Sequence, residues 1–91
     1  MFEGRCEMQK RVGMIGIFVK ERSEAAQMVN KQLSDFGQII VARQGVPYRE
    51  RGLSVISVIV DGTTDEIGAL SGKLGSIPNV TVRSMMTPAD Q

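Results

Sequence analysis

The sequence predicts an α+β fold, a two-layer sandwich in which two helices cover one face of a four-stranded antiparallel sheet. Three observations carry the prediction. Two apolar stripes repeat at helical spacing, β-rich segments flank them in the order βαββαβ, and 91 residues fit one small domain with no room for a second folded module.

The first ten residues, Met1 to Lys10, have mixed polarity without a period and are expected to form a mobile arm ahead of a domain spanning residues 11–86. Val12 to Val19 is rich in β-branched residues and reads as a buried strand. Ser23 is placed as the N-cap of a helix whose stripe is Ala26, Val29, Leu33 and Phe36, with Gly37 as its C-terminal cap. A second strand is expected from about Ile39 to Gln44, broken by Gly45-Val46-Pro47 because proline has no N–H to give to a ladder. Tyr48-Arg49-Glu50-Arg51-Gly52 is the expected tip of a long hairpin. Leu53 to Val60 is the strongest strand, ended by Asp61-Gly62. Thr63 and Glu66 then stand at capping-box spacing, opening a helix with the stripe Ile67, Leu70, Leu74 and Ile77. Pro78-Asn79 stops that helix, Val80 to Arg83 alternates as the last strand, and residues 87–91 form a polar, loose tail. This split βαβ order is that of a ferredoxin-like sandwich, with the first and third strands at the centre of the sheet.

Helices cover one face of such a sheet, so the other face should be polar. Both central strands are instead apolar on both sides. Ile15, Ile17 and Val19 make one row of the first strand, while Val12, Met14 and Phe18 make the other; in the third strand Ile56, Val58 and Val60 oppose Leu53, Val55 and Ile59. Val12, Met14, Phe18, Leu53, Val55 and Ile59 are therefore the expected interface of a homo-oligomer, a dimer or a tetramer. Gly68, Gly72 and Gly75 share one face of the second helix, which permits close approach of the first helix, a partner chain or a ligand, with packing against the first helix the favoured reading.

The composition excludes much chemistry. The chain has no histidine, which removes Ser-His-Asp and Cys-His catalysis and histidine-ligated metals, and one cysteine, Cys6, which makes neither a disulfide nor a thiolate cluster. Eleven basic and ten acidic residues give a net charge of +1, without the basic excess of a nucleic-acid module. The aromatics Phe2, Phe18, Phe36 and Tyr48 do not form a base-stacking platform. Gly68-Ala69-Leu70-Ser71-Gly72-Lys73-Leu74 only imitates a phosphate loop, because it lies inside a helix and lacks the Ser/Thr after the lysine. Asp65 and Glu66 belong to a helix first turn, where they complement the dipole. No catalytic residue, metal ligand or cofactor site is expected. No segment is long enough to span a membrane, and the expected location is the cytoplasm. Arg22, Arg43, Tyr48 and Lys73 are the candidate ligand-binding residues, with Arg49 and Arg51 as further polar contacts at loops or a subunit junction.

Two segments resemble a known family: Arg43-Gln44-Gly45-Val46-Pro47-Tyr48-Arg49-Glu50, and the run from Ile67 through Gly68-Ala69-Leu70-Ser71-Gly72-Lys73-Leu74-Gly75 to Ser76-Ile77-Pro78-Asn79-Val80-Thr81-Val82. The chain, from about Val12 to Arg83, is similar to regulators assigned to the iron-only (FeFe) hydrogenase system, small proteins with an ACT-like domain. The resemblance implies a regulatory role, association with hydrogenase function and homo-oligomers, and supplies no catalytic site. Amino-acid-binding ACT domains commonly have a glycine-containing turn after the first strand, where this chain has Lys20-Glu21-Arg22-Ser23; nickel-responsive relatives use histidines that it lacks. The function expected is thus a non-enzymatic regulatory domain that binds a small effector or a protein partner of the hydrogenase system. The alternatives are a small maturation enzyme or assembly factor, and a transcription regulator that contacts nucleic acid.

Overall fold

A computed structural model of the chain describes residues 10–20 and 23–88. Strand β1 (Lys10–Lys20) leads to helix α1 (Ser23–Asp35), then strand β2 (Ile40–Tyr48), strand β3 (Leu53–Thr63), helix α2 (Thr64–Gly75) and strand β4 (Val80–Met86). The sheet order is β2-β3-β1-β4 and every neighbouring pair is antiparallel, so β1 and β3 are central. This is the βαββαβ sandwich expected from the sequence.

The core is built from the rows that face the helices. Ile15, Ile17 and Val19 of β1 and Ile56, Val58 and Val60 of β3 are buried against Val29 and Leu33 of α1 and Ile67, Leu70 and Leu74 of α2, with Ile77 closing the end. No polar or charged residue is buried among the described residues, so this core is held by apolar burial alone. The α1 stripe differs from expectation at one position. Ala25 is buried and Ala26 is exposed. Either alanine fits the spacing to Val29, three residues or four, and the sheet selects the latter.

Helix α2 opens with the expected capping box. Thr63 Oγ1 accepts from the Glu66 amide at 3.1 Å, and Glu66 Oε1 accepts from the Thr63 amide at 2.8 Å. Helix α1 begins at Ser23, whose side chain lies outside the described residues, as does the turn at residues 21–22. Gly37 is not a left-handed cap: α1 runs into a 3-10 turn, Gly37–Ile39, closed by the Ile39 amide donating to the Phe36 carbonyl at 3.1 Å. Among the described glycines only Gly52, at the hairpin tip, has a positive φ, of 67°. Asn79 takes the same region at φ 71° and ends the α2 connection, its carbonyl accepting from the Lys20 amide at 3.0 Å.

Four further expectations are corrected. Strand β2 does not stop at Gln44 but continues through Gly45-Val46-Pro47 to Tyr48, with Pro47 opposite Ser54. It is an edge strand, where a missing N–H leaves no central ladder bond unmade. Lys10 belongs to β1 rather than to an arm, and β3 runs past Asp61-Gly62 to Thr63 opposite it. Gly68, Gly72 and Gly75 do not pack closely against α1. All three are exposed, and a Cβ built on any of them meets nothing within 4 Å. Ile67, Leu70 and Leu74 turn toward the sheet, which points the glycine face away from it. The remainder of the terminal arm, with Phe2 and Cys6, lies outside the described residues, as do residues 89–91 of the tail; the Thr87 amide donates to the Val12 carbonyl at 2.9 Å.

Candidate functional site

Strand pairing fixes which residues share the uncovered face of the sheet. Val46, Val55, Phe18 and Thr81 form one row across the four strands, Gln44, Ser57, Gly16 and Arg83 the next, and Ala42, Ile59, Met14 and Met85 a third. Tyr48 and Leu53 lie beyond the first row and Val12 beyond the last. Val12, Met14 and Phe18 keep 48, 49 and 49 % of their surface exposed, and Met85 keeps 67 %. The six residues expected at an interface therefore share one face, with Leu53 and Val55 half-buried by their neighbours. Met85 and Val46 join the same face; the alternation of β4 was legible only as far as Arg83, and Val46 was assigned to a break.

A second site lies on the opposite, helix-bearing side. Helix α1 leaves the outer part of β2 uncovered, and a cavity of about 200 Å³ opens between them. Its floor and sides are Val19, Ile56, Ala26 and Pro47, and its polar groups come from Arg43, Asn30 and Ser54. Arg43 faces this side because it pairs with buried Val58, and Gly45, opposite Ile56, keeps the strand surface low. The guanidinium is held in place: Arg43 Nη2 donates to Asn30 Oδ1 at 2.9 Å. Asn30 stands one helical turn after Ala26, so the same shift that exposes Ala26 places both in the cavity wall.

The four candidate ligand residues do not converge. Arg43 lines the cavity, whereas Tyr48 is on the open face beside Leu53. Lys73 is exposed in the last turn of α2, outside the walls of this cavity. Arg22 lies outside the described residues. Asn30 and Ser54 were missed by sequence reasoning, since they enter through helix orientation and strand pairing rather than through a motif. A second hollow of about 500 Å³ sits at one end of the open face, beside Phe18, Lys20, Leu53 and Asn79. Among the described residues no group of three His, Cys, Asp or Glu side chains could hold a metal ion, and no helix is long and apolar enough to cross a membrane.

The uncovered sheet face and the βαββαβ order define an ACT-like α+β domain. The likeness is seen in the ACT domain of GTP pyrophosphokinase from Chlorobium tepidum, which superposes with a TM-score of 0.72 at 18 % identity, over 84 % of this chain and 99 % of that one. The C-terminal domain of the MgtC protein from Mycobacterium tuberculosis shares the fold at a TM-score of 0.68 and 10 % identity, over 87 % of this chain and 89 % of that one. The particular family follows from residues 11–84, which match the TM1266-like model described as "Iron-only hydrogenase system regulator, putative". The chain belongs to this family. It is similar to the uncharacterized protein TM1266 from Thermotoga maritima, with 38 % identity and a TM-score of 0.85 over 87 % of this chain and 99 % of that one. No curated protein matches the sequence.

Proposed function

We propose that the chain is a non-catalytic, cytoplasmic regulatory module of an iron-only hydrogenase system that assembles through its open sheet face and binds a small effector or a protein partner of that system. The observation that carries the reading is the uncovered apolar face. Four strands at about 4.8 Å and seven residues at about 3.4 Å make a surface roughly 19 by 24 Å in projection, on which two largely apolar rows flank the row of Gln44, Ser57, Gly16 and Arg83. A second copy of the chain is the occupant that fits. Phe18 projects from β1 beside Gly16, where a Cβ would meet only the Arg83 carbonyl at 4.0 Å. In a two-fold stack with β1 antiparallel to its copy, each Phe18 ring enters the gap left at the other Gly16, and Arg83 faces Thr81 rather than a second arginine. Effector binding then acts by shifting the population of assembly states.

Binding is favoured over catalysis by the cavity at Arg43. Among the described residues its wall contains no acid–base pair and no base to activate Ser54, which a hydrolytic or transfer reaction at this site would need. Light scattering on the purified protein is the test. A dimer or tetramer at micromolar concentration, reduced to monomer by Val55→Lys with the far-ultraviolet spectrum unchanged, is the expected result. A wild-type chain that remains monomeric at that concentration overturns the assembly.

A further inference from the structure

The cavity between α1 and β2 combines features that specify a ligand class. We propose that it binds a small aliphatic monocarboxylate, with the carboxylate on Arg43 and the hydrocarbon against Ala26, Ile56 and Pro47. This rests on the reading of the chain as an effector-binding module but not on its assembly.

Charge comes first. Arg43 is the single charged side chain in the wall among the described residues, and one of its guanidinium nitrogens is already fixed by Asn30 at 2.9 Å. The remaining N–H donors are presented in a planar fork, the geometry that accepts a carboxylate with two parallel hydrogen bonds. The Ser54 hydroxyl, opposite Pro47 and four positions along the sheet from the row of Arg43, marks the other end of the cavity.

The wall also excludes alternatives. It holds no acidic side chain among the described residues, so the ammonium of an α-amino acid would meet no carboxylate there. A cavity of about 200 Å³ is smaller than the roughly 300–1,000 Å³ of sites that enclose drug-sized ligands, which excludes burial of a nucleotide. The exposed apolar surface of Ala26 and Pro47 then gives a short hydrocarbon chain an advantage over an inorganic anion, which would leave that surface facing water.

Amide chemical-shift titration of the full chain tests the assignment, with isovalerate, valine, 3-methylbutan-1-ol and inorganic phosphate as probes. Valine adds an ammonium to the isovalerate skeleton, the alcohol removes the charge, and phosphate removes the hydrocarbon. Saturable shifts at Ala26, Asn30, Gly45 and Ser54 are expected with isovalerate, and weaker or none with the other three. Arg43→Gln should weaken isovalerate binding about tenfold or more, the factor one charge-assisted hydrogen bond represents. Ala26→Leu, which keeps Arg43 but fills the cavity, should abolish it; both positions are exposed, and an otherwise unchanged amide spectrum shows that the fold is kept. Isovalerate shifts that do not saturate or that lie elsewhere overturn the proposal. So does binding indifferent to Arg43→Gln, or valine or phosphate binding as tightly as isovalerate. Because light scattering reads assembly separately, loss of one result leaves the other standing.

Discussion

Two glycines three residues apart on β1 should respond to the same substitution with opposite signs. Gly13 faces the helices and is buried, and a Cβ there would lie 2.8 Å from the Met85 backbone oxygen and 3.3 Å from both Val60 Cγ2 and Met86 Cγ. The carbonyl belongs to the neighbouring strand and cannot rotate away, so β4 must shift. Gly16 faces the open side, where a Cβ meets only the Arg83 carbonyl at 4.0 Å. Replacing an interior strand glycine with alanine gains about 0.5–1 kcal/mol when the space is free. Overpacking of a close-packed site costs about 1–3 kcal/mol. Gly16→Ala should therefore stabilise by up to ~1 kcal/mol, and Gly13→Ala should fall below it by the overpacking cost, about 1–3 kcal/mol. For a domain of this size each kcal/mol moves Tm by about 4–8 °C, so the two variants should melt well apart. Thermal and urea unfolding in a Val55→Lys background keep self-association out of the measurement. If Gly13→Ala proves as stable as Gly16→Ala in that background, the strand faces assigned here are wrong.

Other substitutions separate the remaining elements. Gly62→Ala places a Cβ 2.9 Å from Glu66 Oε1 and 3.1 Å from Ile39 Cγ2, so it should cost more than Thr63→Ala, which loses one capping bond and about 1 kcal/mol; urea midpoints compare them. Gly72→Ala on the open side of α2 should raise stability by about 0.5–1 kcal/mol, whereas Leu70→Ala in the core should lower it by roughly 3–5 kcal/mol, read from the same unfolding curves. Asp35→Asn breaks the exposed ion pair with Lys31, 2.9 Å long, and should change stability by no more than about 0.5 kcal/mol. Gly16→Val should leave the monomer folded yet block self-docking, seen as a monomer in light scattering.

The parts of the fold legible in the sequence are those where one local pattern has one spatial meaning. The alternation of β1 and β3 placed Ile15, Ile17, Val58 and Val60 in the core and Met14, Phe18 and Ile59 outside it, because side chains alternate strictly along a strand. The Thr63–Glu66 box is equally local. The alanine pair was not: Ala25 and Ala26 both fit a helical stripe, and only packing against the sheet distinguishes them. The glycine face of α2 was misjudged for a related reason, since spacing shows that Gly68, Gly72 and Gly75 share a side but not what stands opposite it. The Arg43 cavity needed both helix rotation and strand register, and neither is written in any single segment.

Strand β2 concentrates the departures from local rules. It carries a proline within a ladder, a register shift between Ile40 and Ala42, and side chains exposed from Val41 to Tyr48. Each departure weakens β2 as a purely structural strand, and natural chains keep such departures mainly where function compensates for them. The strand's two sides differ in a way that stability alone does not require. Arg43, Gly45 and Pro47 face the cavity beside α1, whose wall Val46 also touches, while by register Val46 and Tyr48 belong to the open face. A ligand seated on one side and a second copy seated on the other would share this backbone. Any shift that either event makes in this backbone is felt by the other, so the two should be coupled, and reciprocally. The carboxylate that binds at Arg43 should thus bind the assembled chain and the Val55→Lys monomer with different affinities, although Val55 does not line the cavity. Equal affinities would separate the two sites and leave the irregularity of β2 without this explanation.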